Sequence, residues 1–427
     1  MRRRLTRLQG LWLDGEFLKL WIGQTVSQFG GQIAMLAIPL TAVLVLKATP
    51  REMGYLSAVD TLPFLLIGVF AGVFVDRLPR RPVLAIADMW RAALLAAVPA
   101  LYLLHALRMA ALYAIGFLTG IGTLFFDVAY MAYLPTLVGP AQLVDGNSKL
   151  EASRAAAQIA GPGLAGALVQ LVSAPMAVLG NALTFVVSVA SLLLIRRREP
   201  PLAAAPGRPS LLAEAREGLA VIFRNRILWS LAGCTGTANF FSSAVYALFS
   251  LYAVKQLGFT PAALGGVLAV GSIGGLAGAL GTTTVTKRLG LGRTIVLSIL
   301  VSGVALLLVP LAEGARWLVY ATLVCSQVLL GLSVLVYNIN QVSLRQTITP
   351  QRLQGRMNAS MRFIVWGTMP LGALVGGFLG SAIGVRPTMA LAAVGSLLAV
   401  LWVAFSPVRG LERQPEVGGE PIPGASV

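Results

Sequence analysis

Runs of about twenty apolar residues, separated by short polar segments, recur along the whole chain, and each is long enough to cross a bilayer as a helix. Six are read in the first half, at 17–46, 54–75, 83–104, 110–133, 149–171 and 175–195. Six more follow at 227–253, 263–285, 294–311, 316–341, 358–380 and 386–406. The polar punctuation repeats with them. Gly54 matches Gly265, 211 residues on, and Thr49-Pro50 matches Thr260-Pro261. At the same offset Asp76-Arg77-Leu78 matches Lys287-Arg288-Leu289, Gly120 matches Gly331, and Asp127 matches Asn338. The expected fold is therefore an all-α polytopic membrane protein of twelve transmembrane helices in two pseudo-symmetric six-helix bundles. Such internal duplication is the mark of alternating-access transport.

The placement of charge gives this pattern a direction. With the N-terminus inside, 26 of the 33 Lys and Arg residues fall on the cytoplasmic side, which fixes both termini there by the positive-inside rule. The same rule accounts for a net charge of +17 without a nucleic-acid partner. Only 11% of residues are charged, against about 25% in a soluble domain. No cleavable signal peptide is evident, so the first span stays in the membrane, expected to be the plasma (bacterial inner) membrane. The domains read as a first bundle over 1–196, a cytoplasmic linker over 197–225, a second bundle over 226–408 and a disordered tail over 409–427. Within the linker, Pro200-Pro201, Pro206-Gly207 and Pro209 oppose regular structure. Ser210 then reads as the N-cap of an amphipathic helix lying on the inner membrane surface.

Several chemistries are disfavoured. Cys234 and Cys325 lack metal-ligand spacing, and His105 is the single histidine. No G-x-x-x-x-G-K-[ST] loop is present to bind ATP. No catalytic constellation emerges, so neither an enzyme, a metal nor a cofactor is expected.

The loop after the second span reads Gly72-Val-Phe-Val-Asp76-Arg77-Leu-Pro79-Arg80-Arg81. It resembles the G-x-x-x-D-R-x-G-R-R signature of the major facilitator superfamily, in position as well as letters, with Pro79 in place of a glycine. The resemblance implies that Asp76 meets the start of span eleven, near Arg356 and Arg362, when the inner side closes. A carboxylate at a helix N-terminus is worth up to about 2 kcal/mol there. An acid in a basic loop serves no topological purpose, which favours such a latch over a merely solvated charge run. In span five, Gly161-Pro162-Gly163-Leu-Ala165-Gly166 resembles the G-P-x-x-G-G signature of export members, which mostly exchange substrate for protons. The stretch from Asn338 to Gly372 resembles the branch that contains the enterobactin exporter and the macrolide-efflux proteins. Many members of that branch carry an acid after the position of Gly30, where this chain has Gly31-Gln32. Any coupling role of that acid does not carry over.

Ionisable residues inside spans are costly and usually functional. Asp88, Arg91, Asp127, Glu151, Arg154 and Arg362 all fall within roughly 10 Å of the inner surface at 1.5 Å rise per residue. With Asp76, Arg77, Arg80, Arg81 and Arg356 they read as a cytoplasmic gate, or as a static network that stabilises the fold. Asp60 stands apart, near the outer end of span two and without a basic neighbour. Asp60 and Asp127 are the candidates for proton coupling. The resemblance places spans one, four, seven and ten around a substrate cavity. Their candidate contacts are Gln24, Gln28, Phe126, Tyr130, Asn239, Phe240, Tyr337, Asn338, Asn340 and Gln341. Aromatic rings and neutral amides suit a bulky amphipathic ligand better than a small ion. The expectation is a monomeric, proton-coupled exporter of such a molecule, in contact with small-molecule substrate, protons and membrane lipid. A nutrient importer and a non-transporting membrane sensor are the alternatives.

Overall fold

A computed structural model of the chain describes residues 10–75, 77–197, 199 and 211–413. These residues form helices, turns and connecting segments, with no strand among them. The first half holds α1 (Gly15–Leu40), α2 (Pro50–Val75), α3 (Arg80–Leu103), α4 (Met109–Val138), α5 (Leu143–Val172) and α6 (Ala174–Leu194). The linker contributes α7 (Leu211–Arg224). The second half holds α8 (Arg226–Leu251), α9 (Pro261–Leu289), α10 (Leu291–Leu311), α11 (Arg316–Ile348), α12 (Gln351–Ala382), α13 (Val385–Leu397) and α14 (Ala399–Ala404). Eleven stretches among the described residues are long and apolar enough to cross a membrane. The 26-residue α2 fills the twelfth position, its charged residues confined to Arg51, Glu52 and Asp60. Twelve spans in an all-α fold are thus borne out.

The helices outrun the apolar stretches at several ends. α5 begins at Leu143 rather than 149, α11 continues to Ile348 rather than 341, and α12 begins at Gln351 rather than 358. Hydropathy stops where charge begins, whereas a helix continues into water as long as its backbone bonds are made. The added turns carry Asp145, Arg345, Arg352 and Arg356.

The chain divides into two compact units, one of residues 1–46 and 66–206 and one of residues 47–65 and 207–427. In the first unit α1 packs on α5 and α6, and α3 packs on α4 and α6. In the second, α8 packs on α12 and α13, and α10 packs on α11 and α13. The same pairs of equivalent helices therefore meet in each half.

The second unit takes in the N-terminal part of α2, which crosses α12 at glycines. A Cβ on Gly377 would stand 2.8 Å from Gly54 Cα, so the two backbones touch. Around that crossing the Arg51 amide donates to Ser381 Oγ at 3.0 Å, and the Arg51 guanidinium lies 5.0 Å from the Phe378 ring centroid. α7 packs on α12. Gly218 abuts the Arg356 carbonyl, Glu217 pairs with Arg356, and Ile222 enters a buried cluster with Ile227, Leu231, Met357 and Met361. One face of the helix expected on the membrane surface is thus taken up by protein. Its expected cap Ser210 lies outside the described residues.

The 211-residue repeat reaches into the backbone. Asp14 caps α1 by accepting from the Glu16 and Phe17 amides, and Asn225 caps α8 by accepting from Ile227 and Leu228. α1 ends in a widened π-helical turn at Thr41–Val45, and α8 does the same at Tyr252–Gln256. Lys47 and Gly258 both have positive φ, 53° and 67°. So do Ser173 and Gly384, at 93° and 96°. None of these matches is conspicuous in the letters.

Candidate functional site

In the first unit, polar residues at helical spacing on α1 and α5 converge. Gln24, Thr25 and Gln28 from α1, Tyr130 from α4, and Asn147, Leu150, Glu151, Ser153 and Arg154 from α5 line a cavity of about 120 Å³. Close packing of α1 on α5 sets its wall, since a Cβ on Gly161 would stand 2.5 Å from Gln32 Cβ. Gly161 and Pro162 of the export signature are buried in this contact, with Gly163 half-buried and Gly166 buried a turn later. Glu151 and Arg154 form an ion pair one turn apart, with Nε donating to Oε2 at 2.8 Å. Their side chains are 61% and 45% exposed, so the pair presents charge to the open space. Tyr130 stacks on Phe126 with centroids 5.9 Å apart.

Behind this wall lies a second polar group. Asp88 and Arg91 pair on α3, both buried. The guanidinium lies 4.3 Å from the ring centroid of Phe126 and 4.2 Å from that of Phe185. Gln24 Nε2 donates to Ser188 Oγ on α6 at 3.4 Å. Asp127 is exposed on α4.

The expected gate residues are spread over separate local interactions. Asp76 lies outside the described residues, and Arg77 is exposed in the following turn. The Arg80 and Arg81 amides donate to the two Glu199 oxygens at 2.8 and 2.6 Å, so Glu199 caps α3. The Arg81 guanidinium donates to the carbonyls of Leu192 and Leu193 at the end of α6. Asp88 pairs with Arg91 and Glu151 with Arg154, each within one helix. Arg362 lies over the Trp366 ring at 5.6 Å.

In the second unit most candidate cavity residues serve packing. Asn239 Nδ2 donates to the Val365 carbonyl at 3.2 Å, and Phe240 presses its backbone on Gly372. Tyr337 is buried with its hydroxyl 2.7 Å from Thr235 Oγ1. Asn340 accepts from Thr286 Oγ1 at 3.0 Å and donates to the Val336 carbonyl at 2.8 Å. Gln341 is buried with Oε1 unpartnered. Asn338 is exposed, as is Asp127 at the matching position in the first half. Asp60 is exposed on α2 and makes no hydrogen bond or ion pair among the described residues.

Sequence reading missed Thr25, Asn147, Ser153, Phe185, Ser188 and Glu199. A signal existed for Asn147, which stands one turn before Glu151 on the same helix face. Phe185 and Ser188 carried none, because an apolar span gives no reason to single them out.

A family model described as Major Facilitator Superfamily matches residues 20–369. The chain is 29% identical to Multidrug efflux pump Tap of Mycolicibacterium fortuitum, over 93% of this chain and 97% of that protein. It is 25% identical to Macrolide efflux protein A of Streptococcus pyogenes, over 87% of this chain and 91% of that one. Among solved structures, a bacterial homologue of the iron transporter ferroportin in its inward-facing state matches with a TM-score of 0.76. Its identity is 17%, over 93% of this chain and 99% of that one. The nucleoside transporter NupG matches with a TM-score of 0.72 at 14% identity, over 92% of this chain and 98% of that one. At such identities these structures speak for the fold alone.

Proposed function

Because the chain belongs to the major facilitator superfamily, we propose that it is a secondary active exporter that exchanges protons for an amphipathic molecule such as a macrolide or siderophore. The observation that carries this reading is the cavity of the first unit. Amides of Gln24, Gln28 and Asn147 offer donors and acceptors, Tyr130 offers an aromatic face, and the exposed Glu151–Arg154 pair offers either charge. That mixture suits a ligand with a large apolar body and a few polar groups. At about 120 Å³ the cavity is smaller than the roughly 300–1,000 Å³ of a drug-sized site, so it holds one arm of such a molecule. The names of the two relatives, a multidrug and a macrolide efflux pump, support outward transport of this ligand class.

In this reading a monomer in the plasma (bacterial inner) membrane, both termini cytoplasmic, exposes the cavity to each face in turn. The test is expression in an efflux-deficient bacterial host challenged with macrolides, amphipathic dyes and siderophores, with and without a protonophore. Raised tolerance that the protonophore abolishes is expected. Unchanged tolerance across the panel, with the protein present in the membrane, would refute export of this class. Protonophore-sensitive accumulation inside the cell would favour import.

A further inference from the structure

Arg345 lies half-buried in the last turn of α11, and its Nε is buried without an acceptor. A helix C-terminus favours a cation but leaves this N–H unspent. Among the described residues no carboxylate pairs with Arg345. The surrounding bundle has none to offer, because the helices from α8 to α14 carry no Asp or Glu along their whole length. Elsewhere in this unit Glu217 is committed to Arg356, and Glu313 to Arg386. The positions on either side repeat the pattern. Gln341, one turn back, is 4% exposed with Oε1 unpartnered, and Thr349, which ends the helix, is 4% exposed with Oγ1 unpartnered.

Residues three and four apart share a helix face. On the face of Gln341 and Arg345, Tyr337, Leu344 and Ile348 pack in an apolar cluster with Leu231 of α8 and with Met357 and Met361 of α12. The polar stripe therefore looks into the second unit rather than out to lipid. The duplicated fold does not ask for it. At the 211-residue offset the first half has Tyr130, Leu134 and Val138, of which Leu134 and Val138 are buried in an apolar cluster. A desolvated guanidinium without an anion is costly, and such residues within spans are usually functional.

We infer that Arg345 is the residue with which the second unit binds an oxyanion of the transported molecule, a carboxylate or comparable acidic group on an amphipathic body. The inference deepens the export reading above and rests on it: it names amphipathic acids as a substrate class. The guanidinium donates to the oxyanion, and the Thr349 hydroxyl is a further donor. Gln341 Oε1 accepts from a hydroxyl or N–H beside the acid. The interior aspect of the stripe disfavours a lipid headgroup, and the apolar cluster beside it suits a hydrophobic body better than free phosphate.

Fusidate, a steroid carboxylate, and its uncharged methyl ester are the probes, and equilibrium dialysis against the purified protein in phosphatidylcholine nanodiscs is the assay. The wild type should bind the acid at least about tenfold more tightly than the ester, the worth of a hydrogen bond to a charged group. Arg345→Gln should abolish that preference and keep the ester's affinity, and Arg345→Lys should restore part of it. Without ligand, Arg345→Gln should melt at or above the wild-type temperature, since it removes an unpaired, desolvated cation. A wild type that binds the acid no better than the ester, or an Arg345→Gln protein that keeps the preference, overturns the inference. So does an Arg345→Gln protein that melts lower and loses acid and ester alike, which marks a structural cation. Displacement of fusidate by inorganic phosphate would make this a small-anion site, and loss of the preference in phosphatidylglycerol nanodiscs would assign it to a headgroup; either overturns the substrate class. Outward transport is decided separately by the tolerance assay in whole cells, so failure here leaves the export reading standing.

Discussion

Ser173 joins α5 to α6 with φ 93° and ψ 156°, a conformation essentially reserved for glycine. At the matching junction Gly384 joins α12 to α13 with φ 96° and ψ 158°. The second half thus carries the residue its backbone requires, and the first half does not. The Ser173 hydroxyl is also buried without a partner. Its amide bonds the Val169 carbonyl at 3.1 Å, an interaction that glycine retains. Ser173→Gly should relieve about 1–3 kcal/mol of backbone strain. Removing an unpaired buried hydroxyl contributes about 1–3 kcal/mol more. The greater freedom of glycine in the unfolded chain offsets about 0.5–1 kcal/mol. Because the two favourable effects overlap at one residue, a net gain of about 2 kcal/mol is the conservative expectation. At about 2–4 °C per kcal/mol for a unit of this size, the melting temperature should rise by about 4–8 °C. Scanning fluorimetry of the detergent-purified protein, at one fixed scan rate because unfolding of such chains is often irreversible, makes the measurement. Gly384→Ser should lower the melting temperature comparably. A Ser173→Gly protein no more stable than wild type, or a harmless Gly384→Ser, would refute the claim that both junctions demand glycine.

Gly377→Val inserts side-chain atoms where Gly54 Cα already stands 2.8 Å from an ideal Cβ, which should cost about 1–3 kcal/mol and lower the melting temperature. An unchanged melting temperature would mean that α2 and α12 do not cross at that distance. Glu151→Gln leaves Arg154 unpaired at the cavity. For an exposed pair worth up to about 1 kcal/mol, the apparent affinity for a cationic dye should fall by up to about fivefold. A gain in dye affinity would show that the acid does not face the ligand. At the α10–α11 loop, the hydrogen bond and charge of Arg386 hold the Glu313 carboxyl below its ordinary value of 4.5. A depressed carboxyl stabilises the fold above its unfolded value and loses that contribution as pH falls through the folded one. The melting-temperature difference between wild type and Glu313→Gln should therefore be present at neutral pH and fade as the buffer is taken below about pH 4. A difference that grows on acidification would contradict this sign.

Most of the fold was legible because a bilayer imposes one strong rule on the sequence. Each span announces itself by length and hydropathy. The superfamily signature and the branch resemblance were legible for a different reason, since loop letters and glycine positions survive where general hydropathy drifts. The helix ends were less legible. Residues such as Asp145 and Arg356 look like loop to a hydropathy count, although they extend α5 and α12. The candidate site was legible in part. Gln24, Gln28, Tyr130, Glu151 and Arg154 were all singled out, but under two headings, substrate cavity and gate. The single cavity they line depends on helix rotation about the axis, which depth along a span does not specify. Phe185 and Ser188 were illegible because their roles come from Arg91 on α3 and Gln24 on α1, distant in the chain.

The repeat explains why the polar chemistry sits where it does. Advancing the first-half residues by 211 places Ile299 at the position of Asp88, Ser302 at Arg91, Ser396 at Phe185 and Ala399 at Ser188. The caged ion pair therefore has no counterpart, and Ile299 instead joins a buried apolar cluster. Phe126, one wall of the cage, corresponds to Tyr337, which spends its hydroxyl on Thr235, the counterpart of Gln24. Glu151 corresponds to Arg362, so even the sign of the charge is reversed. The backbone features at the same offset are retained: the Asp14 and Asn225 caps, the widened turns, and the positive φ at Ser173 and Gly384. A duplicated scaffold must keep its caps and turns in both halves, because each half folds by the same packing of equivalent helices. Buried charge is under the opposite pressure. Each buried carboxylate–guanidinium group costs desolvation, and a second such group would add that cost again. Retaining the group in one half places buried charge beside the cavity that Gln24 lines, and leaves the other half free to be built for packing.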